Sequence, residues 1–251
     1  MATLKTSRHQ AERSTETRDR ILDAALQEFS AHGLAGARTE AIAVAAGVNK
    51  ALLYYYFESK EKLYLETLEK IAGKVRDAQL ALLTSEASPG ERLLRTALNH
   101  FDRISSQQEF QSLLQQEMIR IQKGESKALP FLGKRLFGPT LLAFQAMVEE
   151  GMASGELIDV DWMQFPLVAL GANVFYFLSA PMWHEVLPFE PFAPEVIAFR
   201  RKALVEFLGQ AVFKDRVHGA ELAGRVLADS PAPVPAVRAP FKKRLSIAEE
   251  Q

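Results

Sequence analysis

The sequence predicts an all-α protein, in which a three-helix head with a helix-turn-helix is joined by a long fourth helix to a larger helical body. Two observations carry this prediction. Residues 39–57, TEAIAVAAGVNKALLYYYF, form two short helical patterns around a glycine corner. From residue 60 onward, apolar residues recur at helical spacing in long segments that Pro- and Gly-containing breaks separate.

The glycine corner predicts the geometry of the head. Gly47 suits a helix C-cap because glycine adopts a positive φ at no steric cost. Asn49 can then cap the second helix by accepting from its first backbone N–H groups. The predicted inner faces of the two helices carry apolar side chains at helical spacing, namely Ile42, Ala45, Ala46, Leu53 and Phe57.

The outward face of the second helix is polar and aromatic. It carries Lys50, Ala51, Leu52, Tyr54 and Tyr55. Tyr54, Tyr55 and Tyr56 point in different directions, so one short helix cannot bury all three. An ordinary packed helical hairpin would show the same spacing. The tyrosines favour a nucleic-acid surface, because a phenol hydroxyl can meet a phosphate oxygen.

These residues resemble a known family. GVNKALLYYYFESKEKLY, residues 47–64, is similar to the DNA-binding signature of the tetracycline-repressor (TetR) family of bacterial transcriptional regulators. The preceding RDRILDAALQEFSAHGLAGARTEAIAVAA matches the same domain. The resemblance covers about the first quarter of the chain. It implies a homodimeric repressor that binds a palindromic DNA operator and is released from it by a small molecule.

The resemblance also assigns DNA-contacting positions. They are Thr39, Asn49, Lys50, Ala51, Leu52, Tyr54, Tyr55, Tyr56 and Lys60. Two positions depart from the family pattern, since Leu52 stands where a polar residue is frequent and Ala51 where glycine is frequent. Leu52 could contact a thymine methyl group, or base readout here could rely less on hydrogen bonds.

The whole chain is predicted to consist of four parts. Residues 1–13 are a flexible arm, or an arm that contacts DNA, and residues 14–59 are the DNA-binding domain. The first helix begins near Ser14 or Thr15, and Gly33 ends it. Residues 60–214 are the ligand-binding and dimerisation domain, whose first helix runs to about Ser85. Residues 215–251 are a flexible, Pro-rich tail in which 218–228 could form a short helix.

The body is predicted to hold an apolar or aromatic effector. Glu117 falls on an apolar helix face, so it either forms a structural pair with Arg95 or Arg120, or it faces a ligand. Asn173 lies in the middle of an apolar helix, where it is either a satisfied amide or a ligand contact. The predicted pocket residues are Phe101, Phe110, Leu114, Glu117, Met118, Phe144, Met147 and Asn173.

Two neighbouring helices are apolar over wide faces, at residues 162–179 and 195–213. Such helices must be covered on both sides. They suit a four-helix interface between two copies of the chain, although internal packing is the alternative. The predicted dimer residues are Phe165, Val196, Phe199, Ala203 and Phe207.

Composition bounds the remaining possibilities. The 251 residues carry a net charge of −1, so any DNA binding must come from local charge, and residues 1–62 hold nine Lys/Arg against eight Asp/Glu, a formal +1. The absence of cysteine fits a reducing cytoplasm, and neither a signal peptide nor a membrane-spanning run is apparent. The five histidines lack metal-ligand spacing, so we expect no metal, no cofactor and no enzyme. The alternatives are a transcriptional activator and a helical ligand-binding protein that does not bind DNA.

Overall fold

The structure is a computed structural model that describes residues 2–186 and 190–233, without the side chains of residues 2–12, Leu129, Leu136 and Pro181. Throughout these ranges the regular structure is helical, which confirms the all-α prediction. A π-helical turn, Leu132–Phe137, lies between the seventh and eighth helices. The α-helices are α1 Ala2–Gly36, α2 Thr39–Ala45, α3 Lys50–Phe57, α4 Lys60–Leu83, α5 Pro89–Ser106, α6 Gln108–Gln122, α7 Leu129–Phe131, α8 Gly138–Ala153, α9 Gln164–Val186, α10 Pro194–Ala211 and α11 Arg216–Asp229.

The chain packs as two compact units. The first comprises Met1–Ala81 and Gln108–Ala143, and the second comprises Leu82–Gln107 and Phe144–Gln251. This division describes packing alone, so the functional boundaries at residues 13, 59 and 214 stay predictions.

The first unit is built around the apolar faces of α1, α2, α3 and α4. Its core includes Phe29, Ile42, Leu53, Phe57 and Leu63, each fully buried. Helix α6 lies against α1, where the Ser112 hydroxyl and the Gln116 amide both donate to the Ser30 carbonyl, at 2.9 and 3.0 Å. Buried residues recur every three or four positions in these elements, which is the spacing of a helix and not the alternation of a strand.

Helix α1 differs from its prediction at the N-terminal end. It begins at Ala2, whereas the sequence led us to place an irregular arm up to residue 13. The segment contains neither proline nor glycine, so nothing local stops the helix from extending. The predicted break at Gly33 is confirmed by its φ of 66° and ψ of 176° inside the assigned helix.

Glu117 is the buried carboxylate of the first unit, with 1% of its surface exposed. The Tyr64 hydroxyl donates to Glu117 Oε2 at 2.6 Å, Arg120 Nη1 donates to the same oxygen at 3.1 Å, and Ser126 donates to Oε1. Burial first, and then the bond to Glu117, raise the pKa of the Tyr64 phenol above its ordinary value. The structural pair with Arg120 is therefore the correct alternative, and Arg95 instead pairs with Glu91.

Replacing Glu117 by alanine should destabilise the protein by about 3 kcal/mol, because a buried phenol and a guanidinium would lose their partner. Urea unfolding followed by circular dichroism would measure the loss. Glu86→Ala is the matched control, since Glu86 is exposed and such a surface change costs about 0.5 kcal/mol at most. Equal midpoints for the two variants would contradict this account of Glu117.

The second unit packs α5 against α9, α10 and α11. Arg201 of α10 forms a two-pronged pair with Asp102 of α5, at 2.8 and 3.0 Å, and also donates to the Ser230 carbonyl at 2.7 Å. Helix α11 spans Arg216–Asp229, whereas the sequence indicated at most a short helix at 218–228. It packs into the second unit, which corrects the prediction of a flexible tail from residue 215. Its apolar stripe, buried against the unit, consists of Leu222, Ala223 and Val226. The predicted Pro-rich segment beyond residue 233 lies outside the described residues.

Candidate nucleic-acid interface

The corner between α2 and α3 has the predicted geometry. Gly47 has a φ of 66°, and the Val48 N–H donates to the Ala43 carbonyl at 2.9 Å, which closes the turn. Asn49 caps α3, because its Oδ1 accepts from the Leu52 N–H at 2.7 Å. Helices α2, α3 and α4 begin at the predicted residues Thr39, Lys50 and Lys60.

The inner faces of the two helices are buried with one exception. Ile42, Ala46, Leu53 and Phe57 are at most 5% exposed. Ala45 is exposed, and Ala43 takes its place in the core. Positions 43 and 45 flank the face of Ile42 and Ala46 on opposite sides, so the sequence does not separate them, and in the structure the core covers the side of Ala43.

The outer face of α3 is presented to solvent. Lys50 and Ala51 are exposed, and the Tyr55 ring is 80% exposed. Leu52 and Tyr54 are half-buried. The three tyrosines therefore divide between one exposed and two half-buried rings, as the sequence predicts.

Two of the tyrosine hydroxyls bind other helices of the first unit. Tyr54 Oη lies 3.2 Å from Thr39 Oγ1, which joins α3 to the first residue of α2. Tyr56 Oη lies 3.1 Å from Ser14 Oγ on α1. The Thr39 side chain is 95% buried, so its hydroxyl positions Tyr54 in this state. Tyr54 and Tyr56 thus link α3 to α2 and α1, whether or not they also contact phosphate.

Lys50 is paired with Glu40 of α2. The Lys50 ammonium lowers the pKa of the Glu40 carboxyl, and the carboxylate raises the pKa of Lys50. Glu40 was not predicted from the sequence, although it is the second residue of α2 and Lys50 is the first of α3, two helices that the glycine corner brings together. A phosphate would have to compete with the Glu40 carboxylate for the Lys50 ammonium group.

Two further positions complete the surface. Lys60 Nζ donates to the Ala35 carbonyl at 3.1 Å, which holds it beside the segment that precedes α2. Val44 is 81% exposed, and Arg38, directly before α2, is exposed as well. Sequence analysis missed both, although a basic residue immediately before a helix-turn-helix could have been noticed. The exposure of Val44 carries no such signal, because a valine between two alanines reads equally well as a core residue.

The predicted pocket residues divide between the two units, so their common pocket stays a prediction. Phe110, Leu114, Glu117 and Met118 lie on α6, in the first unit, where Phe110 and Leu114 pack into its core. Phe101, Phe144, Met147 and Asn173 lie in the second unit and are buried. Among the eight, Phe144 lines a cavity of about 10 Å³ in that unit. The other residues lining it are Leu93, Thr96, Ala97, Phe165, Pro166, Ala169, Leu170 and Leu208.

The predicted dimer residues also divide. Phe199 and Phe207 of α10 are 74% and 67% exposed. Val196 and Ala203 are half-buried. Phe165 instead points into the second unit, where its ring stacks on Phe144 with centroids 6.1 Å apart, so it is not part of an outer face. Helix α9 is apolar on all sides, and its sequence alone did not distinguish the inner face from the outer one.

The arrangement defines a class of protein. A short helix, a glycine corner and a second short helix with an exposed polar and aromatic face form a DNA-binding helix-turn-helix. The family model of bacterial regulatory proteins of the tetR family matches residues 21–67. The HTH-type transcriptional repressor NicS of Pseudomonas putida is 32% identical over 147 residues, which are 58% of this chain and 68% of NicS. This chain therefore belongs to the tetR family of bacterial regulatory proteins.

Other relatives and a solved structure agree. The HTH-type transcriptional regulator BetI of Rhizobium meliloti is 38% identical over 76 residues, 30% of this chain and 37% of BetI. A transcriptional regulator from Saccharomonospora viridis in complex with choline shares the fold, with a TM-score of 0.65 and 19% identity. That likeness covers 80% of this chain and all of the other. The predicted family, the tetR family of bacterial regulatory proteins with an N-terminal helix-turn-helix, is confirmed.

Within residues 2–186 and 190–233, no three His, Asp or Glu side chains converge as a metal site would require. Among the described helices, none combines the length and the hydrophobicity that crossing a bilayer would need.

Removing the Glu40 carboxylate should strengthen DNA binding. Glu40→Gln frees Lys50 and removes one negative charge per head, so operator affinity should rise about three- to tenfold at low salt. Fluorescence anisotropy with a labelled operator would measure it. Glu61→Gln, on the first turn of α4, is a control with the same change of charge. Affinity that falls in Glu40→Gln would mean that Glu40 holds Lys50 in its binding position.

Proposed function

We propose that this chain is a homodimeric repressor that acts in the cytoplasm on a near-palindromic operator and leaves it when a small effector binds. The observation that carries the proposal is the orientation of α3. It buries Leu53 and Phe57 while Lys50, Ala51 and Tyr55 face solvent. A helix so oriented can enter a major groove with its exposed face against the base edges.

The DNA contacts would sort by chemistry. Lys50, at the start of α3, would reach a guanine edge or a phosphate, and Leu52 a thymine methyl group. The tyrosines would pack on the backbone and donate to phosphate oxygens. Lys60 and the N-terminal N–H groups that begin with Asn49 and Thr39 would add phosphate contacts. These contacts fix the position of the head, whereas Lys50 and Leu52 supply the base readout.

One head covers half of an operator, so the dimer is part of the proposal. The outer faces of α9 and α10 support it, since they expose large apolar side chains that water does not favour. Gly171 and Ala172 are exposed in the middle of the α9 face and would let a second copy approach closely. The exposed apolar residues are Leu167, Val168, Phe175, Leu178, Met182, Phe199 and Phe207.

A two-fold dimer would set two α3 helices about one turn of DNA apart, roughly 34–36 Å, or a multiple of it. An effector that prefers a body conformation with a different spacing would lower operator affinity by its differential binding energy. A change from almost fully bound to almost fully released requires about 5.5 kcal/mol of such preference.

Selection of duplexes from a random library by the full-length protein tests this function. We expect enriched sequences with two inverted half-sites, bound with an affinity that falls steeply with salt. Enriched sequences without two-fold symmetry would contradict the dimeric mode. Absence of any enrichment would instead favour a helical ligand-binding protein without DNA recognition. Reporter expression from the selected operator then separates a repressor from an activator.

A further inference from the structure

Helix α5 carries a polar stripe through the second unit. Thr96, His100 and Arg103 follow one another at spacings of four and three residues, so they lie on one face of the helix. Thr96 is 2% exposed, and its hydroxyl has no hydrogen-bond partner among the described residues. His100 Nδ1 is likewise buried and unpaired there. Buried polar atoms are nearly always bonded, so unpaired ones indicate a missing partner.

A fourth polar group faces this stripe from α9. Asn173 is fully buried, and neither its Nδ2 nor its Oδ1 has a partner in the described part of the chain. Asn173 lies four residues after Ala169 and four before Phe177, so the three share a face. Ala169 lines the cavity with Thr96 and Ala97, and the Phe177 ring lies 5.4 Å from that of Phe101. The amide of Asn173 is therefore level with His100.

The apolar cavity of the second unit adjoins these groups, since Thr96 is part of its wall. The wall is otherwise apolar, and it includes the stacked rings of Phe144 and Phe165. The volume of about 10 Å³ holds about one water molecule. A larger occupant requires side chains of the wall to move, and the two stacked rings are its largest members.

The charge at this place is positive. Arg103 is half-buried, and its Nη1 donates to the side-chain oxygen of Asn99, at 3.4 Å. Burial lowers the pKa of Arg103 to about 10, and no carboxylate of the described residues offsets it. The neighbouring Asp102 is held by Arg201. Burial, and then the charge of Arg103, lower the pKa of His100 to about 3, so His100 is a neutral donor or acceptor at pH 7.

We propose that the effector is a small aromatic or aliphatic monocarboxylate, whose apolar body separates Phe144 from Phe165 and whose carboxylate is bound by Thr96, His100, Asn173 and Arg103. This proposal rests on the proposed effector response and names its ligand class. The hydroxyl, the imidazole N–H and the amide N–H₂ are donors, and a carboxylate accepts from all three. The guanidinium supplies the counter-charge, which makes these bonds the stronger, charge-assisted kind.

Calorimetric titration of the full-length protein with benzoate tests the ligand class. Benzamide is the neutral probe of the same shape, and choline is the cationic probe. We expect benzoate to bind, benzamide to bind at least about tenfold more weakly, and choline not to bind. Equal affinity for benzoate and benzamide would overturn the assignment, as would binding of choline alone or of none of the three.

Three variants test the residues. Asn173→Leu and Arg103→Gln should each weaken benzoate binding at least about tenfold. Arg95→Gln, on the same helix but paired with Glu91, should retain it. Asn173→Leu should also raise the melting temperature of the free protein, because it removes an unpaired buried amide. A lower melting temperature would show that Asn173 is a structural group bonded to a buried water, which would overturn its part in the site.

The titrations contain no DNA, so they separate this proposal from the proposed function. Benzoate binding by a protein that selects no operator would support the site and contradict the repressor. Operator binding by a protein that ignores benzoate would retain the repressor and overturn the ligand class.

Discussion

Lys50→Ala is expected to weaken operator binding about 30-fold or more, because a base or phosphate contact is lost in each head of the dimer. Lys50 is exposed at the first position of α3, and Glu40 is its partner in the free protein. The slope of log affinity against log salt should also fall by about one for each phosphate contact that is lost. Gel shift or anisotropy over a range of salt concentrations measures both quantities.

Lys74→Ala is the matched control for this experiment. Lys74 is exposed on α4, so the variant loses the same charge about four turns away from the start of that helix. Dimer content and benzoate binding should be unchanged in both variants. Unaltered operator affinity in Lys50→Ala would refute the placement of α3 in the major groove. A loss of equal size in Lys74→Ala would mean that overall charge, and not contact, explains the effect.

The Phe199→Asp/Phe207→Asp double variant is expected to be monomeric. The two rings are 74% and 67% exposed on α10, and a second copy would bury them. Losing four buried phenylalanines from a symmetric dimer costs about 6 kcal/mol or more. Four desolvated carboxylates would add further repulsion. Light scattering coupled to size exclusion measures the mass directly.

Val217→Asp is the control for the double variant, since Val217 is 68% exposed on α11, a helix that is not part of the proposed interface. That variant should remain a dimer. Circular dichroism should report the same helix content for both proteins. A double variant that remains dimeric would move the interface to another face of the second unit, and the α9 row at Phe175 and Leu178 would be the next to test.

The sequence predicts the head almost completely, because its determinants are local. Gly47 permits a positive φ, Asn49 caps the helix that follows it, and the spacing of Leu53 and Phe57 sets one face inward. The starts of α2, α3 and α4 all follow from such short-range rules. The one misplaced residue, Ala45, is a small side chain beside another small side chain, where the pattern carries little information.

The candidate effector site could not be predicted in the same way. The sequence predicted one pocket for Phe101, Phe144, Met147 and Asn173 together with residues of α6. The first four belong to the second unit, whereas α6 belongs to the first. Their segments are all apolar with helical spacing, and the pattern does not record which helices become neighbours. Thr96, His100 and Arg103 were missed because the sequence does not record that α5 packs against α9.

By itself, then, the sequence determined that the chain is helical, that it has a DNA-binding corner and where most of the helices begin, because backbone preferences and capping act over a few residues. Tertiary structure alone decided which side of α9 faces inward, that Tyr64 meets Glu117 and that Glu40 holds Lys50. The physical reason is that a helix apolar all round has no preferred inner face. Its orientation is set by the partners that pack against it, and these partners are distant in the chain.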